Sequence, residues 1–230
     1  MRLLSLAIAA ALLAVSTPAS AQWAEFLSKD DGFATNFPNP PKTDVITWEG
    51  EYRETFKGRV HSATDGGAKY SVTVVGYRDA EAKHKARVER CRAAKLDGDS
   101  CQYDFVVEVA GAVTYASSQI LRRPNAKISH YMFYFTEMVG GHLIQLDNAD
   151  KSRTFAAVHM HDGRLYIFES TVPAGAPDPI LFMQSISWIL PDGSSVRYRT
   201  MYHEGYGEWQ FPRPAPARTV RTPEERDAAR

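Results

Sequence analysis

The chain has 230 residues, 44% of them hydrophobic, and its 27 Lys and Arg balance 27 Asp and Glu. Zero net charge gives no electrostatic drive toward nucleic acid, whose binding rests on neutralising phosphates, while the apolar content suffices for one sizeable core. Beyond the N-terminus no apolar run approaches the roughly 20 residues that span a bilayer, so no transmembrane segment is expected after leader removal.

Met1-Arg2 is a short basic opening, Leu3 to Val15 an apolar stretch and Ala19-Ser20-Ala21 a small-residue cleavage signal. This is the pattern of a secretory signal peptide over residues 1–21. The apolar run is broken at Pro18, and no cysteine follows the cleavage site to carry a lipid. The mature chain is therefore expected to be periplasmic or secreted. A single domain over residues 22–210 and a Pro- and Arg-rich tail over 211–230, disordered or extended, complete the predicted organisation.

Phe33 to Phe37, Val45 to Trp48, Tyr52 to Val60 and Ala68 to Tyr77 read as strands, with Asp65-Gly66-Gly67 as a turn. Asp79 to Lys95 changes to a polar helical pattern, a surface helix carrying an excess of basic residues. Cys91 and Cys101 follow at a spacing unlike the Cys-x-x-Cys of redox enzymes. In an exported chain they are expected to form a disulfide bond. Asp104 to Arg122 predicts a second, more apolar helix, with Phe105, Val109, Val113, Ala116 and Ile120 at helical spacing. The same residues admit two strands turning at Ala110-Gly111. A helix here makes the cysteine pair a staple across a helix–helix joint.

Strands resume over Lys127 to Glu137 and His142 to Asp147, with Gly140-Gly141 expected as the turn between them. Arg153 to Val172 carries the sharpest signal. Asp162-Gly163 between β-branched and aromatic runs predicts a two-residue hairpin with His161 opposite Arg164, Met160 opposite Leu165, His159 opposite Tyr166 and Val158 opposite Ile167. One face is apolar; the other, with His159, His161, Arg164, Tyr166 and Phe168, is a mixed surface expected to be wet or to lie under a helix. Asp178-Pro179 then reads as the start of a helix over Ile180 to Ile189, packed through Leu181, Phe182, Ser185, Ile186 and Ile189. Ser195 to His203 reads as a last strand. Strands and helices do not alternate as βαβ units, so the predicted class is α+β, one domain built on a largely antiparallel sheet with flanking helices.

Gly32-Phe33, Phe37-Pro38 and Pro41, then Arg164-Leu165-Tyr166-Ile167, Pro177, Pro179, Phe182, Ser185 and Asp192-Gly193 with Val196-Arg197-Tyr198 resemble a loose set of uncharacterised exported bacterial proteins. More remotely, the order of elements resembles the PsbP-like α+β fold. That fold hosts binding and assembly factors, so the resemblance implies a role without catalysis.

The residues themselves give no nucleophile elbow, no His-Glu-x-x-His, no phosphate-binding glycine loop and no dinucleotide fingerprint. No cofactor is implied. The expected function is an exported, non-enzymatic binding or assembly protein of the bacterial cell envelope, acting on an envelope protein or a small ligand. A second reading is a metal-binding exported protein. His159 and His161 lie two apart on a strand and project to the same side, within reach of one zinc or copper ion, with His142, His130 or Glu169 as third ligand. An envelope hydrolase, its groups assembled in space, is the third.

Overall fold

The computed structural model describes residues 23–96, 101, 105–204 and 216–221; the signal peptide expected over residues 1–21 and most of the expected tail lie outside them. Asp162 and Gly163 have φ of 49° and 68°, the two positive values that a type I′ turn requires. The hairpin they close, β8 (Arg153–His161) and β9 (Arg164–Val172), has the predicted register, His161 opposite Arg164 through Val158 opposite Ile167. Around it β3 (Lys42–Glu49), β4 (Thr55–Asp65), β5 (Ala68–Gly76), β6 (Ala126–Thr136) and β7 (Val139–Asn148) complete a seven-stranded sheet. Its order is β3-β4-β5-β9-β8-β7-β6, and every adjacent pair is antiparallel.

Val158, Met160, Leu165 and Ile167 are buried on one face of this sheet. Two helices, α1 (Ala80–Ala93) and α2 (Phe105–Leu121), lie on that side, with α2 packed over β7, β8 and β9. Residues 105–121 are thus helix rather than hairpin. The inward stripe of α2 is rotated from the expected one: Glu108, Ala112, Ala116, Ser117 and Ile120 are buried, and Phe105, Val109 and Val113 only partly so. Small residues let the helix approach the sheet closely, while its larger ones cover the flanks.

The second face of the hairpin corrects the expectation of a wet or helix-covered surface. His159, His161, Tyr166 and Phe168 are all buried, because a second sheet covers them. β1 (Ala24–Ser28), β2 (Phe33–Phe37), β10 (Ser187–Ile189), β11 (Ser195–Tyr198) and β12 (Pro216–Arg221) form it in the order β1-β2-β10-β11-β12. The fold is α+β and antiparallel as predicted, but it is two facing sheets with helices on one outer side.

The long helix expected over Ile180 to Ile189 is a single turn, α3 (Ile180–Met183). Ser187 and Trp188 instead pair with Ala34 and Phe33, and Phe182, Ile186 and Trp188 enter the inter-sheet core. Ladder bonds to β2 and β11 outweigh the weak helical preference of so short a segment. The turn expected at Gly140-Gly141 falls at Glu137 and Met138, with φ of 50° and 69°. Both glycines lie inside β7, where close neighbours need them. An ideal Cβ on Gly141 would stand 2.1 Å from the Val158 carbonyl oxygen and 2.5 Å from His159 Nδ1, and one on Gly140 2.5 Å from His203 Cε1. The expected strand to His203 ends at Tyr198, and Pro216–Arg221, within the predicted tail, pairs with it as β12.

Candidate functional site

His159 and His161 project from β8 to the same side, as their spacing requires, into the core between the sheets. Trp188 lies edge-on to His159 at 5.5 Å between ring centroids and tilted over His161 at 4.8 Å. The His159 Nδ1 N–H donates to the Gly140 carbonyl at 3.3 Å, and His161 Nε2 lies 2.9 Å from the Tyr198 hydroxyl. Burial pushes the His159 imidazole down to about 4, against the pull of its backbone bonds. None of the suggested third ligands joins the pair. His142 stands opposite Val158 on the helix-covered face, beside Ser117. Glu169 is held by Arg123 through two bonds of 2.8 and 2.7 Å. His130 is exposed and pairs with Gln145, away from Gly141, the partner of His159. Among the described residues no group of three or more His, Cys, Asp and Glu is placed to hold a metal.

Two buried polar clusters were invisible in the sequence, because each joins residues from separate elements. Asp31, in the turn between β1 and β2, accepts from Arg59 Nε at 2.9 Å and from His61 Nε2 at 2.7 Å, and His61 Nδ1 lies 2.9 Å from the Thr43 hydroxyl. Burial alone would raise the Asp31 carboxyl; the His61 and Arg59 bonds, with the Arg59 charge, reverse this and hold it below the usual carboxylate range. The connectivity is that of a nucleophile relay, but the Arg59 guanidinium already neutralises the carboxylate, and Thr43 is the direct cross-strand neighbour of His61. The Tyr166 hydroxyl donates to the Asp31 carbonyl at 2.5 Å, so the cluster pins the small sheet onto the large one. The second cluster joins the helices. His84 Nε2 donates to Glu108 at 2.9 Å, both fully buried, and Arg87 donates to His84 Nδ1 at 3.1 Å. Burial pushes the Glu108 carboxyl up despite the His84 bond.

Cys91, on the buried side of α1, and Cys101 stand at disulfide distance, 5.5 Å between Cα atoms, across the joint between α1 and α2. Closing so short a loop contributes about 2–3 kcal/mol through the unfolded chain. A Cys91→Ser, Cys101→Ser double variant is expected to lose that amount in urea unfolding. Denatured, unreduced wild type is expected to take up no thiol label, and two labelled cysteines would reject the bond.

The two edges of the large sheet differ in kind. β3 carries Lys42, Asp44 and Glu49, with Lys42 and Asp44 paired at 2.8 Å, the charged dress that keeps an edge from pairing with other chains. β6 is the last strand at the other end, and from Ile128 to Thr136 it holds no Lys, Arg, Asp or Glu. Tyr131 lies opposite Ile144 and Phe133 opposite His142, which in turn face Ala156 and Val158. Tyr131, Phe133 and Phe135 therefore share the helix-covered face, at the margin of α2, whose main contacts are with β7, β8 and β9. Ile128, Tyr131, Met132, Phe133 and Phe135 are each between 46% and 54% exposed. A cleft of about 220 Å³ opens beside Phe133, lined also by Val113, Gly140, His142, Met160 and His203. Sequence reasoning found the strand and its aromatic content but not its place at an edge.

No family profile matches the chain, and no curated protein matches it. Among solved structures, the solution structure of cyanobacterial PsbP (CyanoP) from Synechocystis sp. PCC 6803 is similar with a TM-score of 0.39 and 12% sequence identity, over 75% of this chain and 96% of that chain. It is a weak structural neighbour.

Proposed function

We propose that the protein is an exported binding or assembly factor of the bacterial cell envelope, acting without catalysis, and that β6 is its binding element. The observation that carries this reading is the uncharged, half-exposed aromatic stripe on a strand whose outer edge has no ladder partner among the described residues. Exposed backbone groups offer ladder bonds to an incoming strand, and alternate aromatic side chains supply the apolar contact. A leader-like start supports export, and no described helix is long and apolar enough to cross a membrane.

A photo-crosslinking residue at Phe133 in cells is expected to give adducts in the envelope, while the same residue at Val45, on the charged edge, gives none. The mature protein is expected to begin at Gln22 in the periplasmic fraction. Absence of any adduct from Phe133, or retention of the full leader in the cytoplasm, would overturn the reading.

A further inference from the structure

We infer that β6 pairs with β6 of a second copy of this chain, antiparallel about a two-fold axis through Phe133, joining two seven-stranded sheets edge to edge. The inference rests on reading β6 as a binding edge and names what binds there.

The strand is matched to itself. Its pairing with β7 is irregular between Ile128 and His130, and the chain turns at Glu137, so the regular run is His130 to Thr136 with Phe133 at its middle. Antiparallel self-pairing about that midpoint sets Phe133 against Phe133 of the second copy and Tyr131 against Phe135 of the second copy. All six rings stand on one face, and cross-strand aromatic pairs of this kind are among the favourable ones. The strand is also silent in charge. A two-fold interface presents each surface to its own copy, so a charge near the axis would meet its like, and none lies between Ile128 and Thr136. The zero net charge of the chain adds no long-range repulsion.

The area fits a weak dimer. An aromatic side chain presents ~150–250 Å², so Tyr131, Phe133 and Phe135, each about half exposed, offer at most roughly 300 Å² per copy. With the paired backbone added, the contact falls in the class below about 1,200 Å² to which weak and transient interfaces belong. That size predicts a concentration-dependent dimer rather than a permanent one.

Sedimentation of the mature protein from about 1 µM to about 1 mM, the range in which weak association appears, is expected to show a rise from one to two chain masses. Phe133→Lys, which sets like charges at the axis, is expected to weaken dimerisation by at least about tenfold with unchanged circular dichroism. In a second variant, Phe133→Cys, mild oxidation is expected to link two chains. Thr136→Cys, facing His130 of the second copy, should not link. A monomer throughout, a dimer indifferent to Phe133→Lys, or linking through Thr136→Cys alone overturns the inference. If the wild type stays monomeric while Phe133 crosslinks a different envelope protein, this inference falls and the binding role stands; if Phe133 captures nothing, both fall.

Discussion

Replacing Trp188 with alanine is expected to cost about 3–5 kcal/mol of folding stability, the range for removing a fully buried large aromatic side chain. Trp188 has no solvent exposure. It touches His159, His161, Tyr166 and Phe168 on the large sheet, with centroid separations from 4.8 to 6.2 Å. Its indole N–H donates to the Thr136 carbonyl at 2.8 Å. The substitution therefore leaves a cavity in the middle of the inter-sheet layer and strips a carbonyl of its donor. Against a total stability of about 5–15 kcal/mol, the loss is read directly as a lower urea midpoint. A loss under about 1 kcal/mol would mean that the two sheets are not cemented by this side chain.

The second large effect is acid lability through His159. Burial holds its imidazole at about 4 in the folded chain against an ordinary value of 6.5. Above pH 6.5 neither state is protonated and the contribution is complete. As pH falls toward 4 the unfolded chain takes up a proton that the native core refuses, so stability drops by roughly 3 kcal/mol across that window. His159→Gln is expected to abolish this part of the pH dependence. Asp31, held low, adds stability that is lost only as pH falls below the ordinary carboxylate value of 3.8. Glu108, held high, contributes in the opposite sense, its share fading as pH rises. Both remain in the variant, so the difference in unfolding free energy between pH 7 and pH 4, wild type against His159→Gln, isolates the imidazole. Superimposable profiles would exclude His159 as the source.

What the sequence made legible was local. The β8–β9 hairpin followed from Asp162-Gly163 and a strict alternation, down to the pairing of Val158 with Ile167, because turn chemistry sets register without outside help. The helices flanking the cysteines followed from periodicity. What failed depended on distant partners. Phe182, Ser185, Ile186 and Ile189 do fall at helical spacing, but Trp188 has a strand waiting at Phe33, and nothing near it in sequence says so. Gly140-Gly141 looked like a turn because the reason for both glycines, room for His203 and His159, lies on other segments. The histidine pair was placed on the right strand and the right side, while its surroundings were set by a sheet that periodicity could not reveal. The β6 stripe was visible as composition; its exposure depends on β6 closing the order of strands and on α2 packing mainly over β7, β8 and β9.

The five-stranded sheet draws β1 and β2 from the beginning of the chain and β10 to β12 from its end; the Thr35 hydroxyl meets the Phe182 carbonyl across 147 residues. Such remote mates make folding slow, since loop closure must come before the contacts that reward it. A ribosome releases Phe33 and Phe37 long before Trp188 exists, and until it does the inner aromatic layer has no lid. The aromatic interior thus closes only after most of the chain has been made, so folding has to wait for the C-terminal strands rather than proceed from the first segments outward.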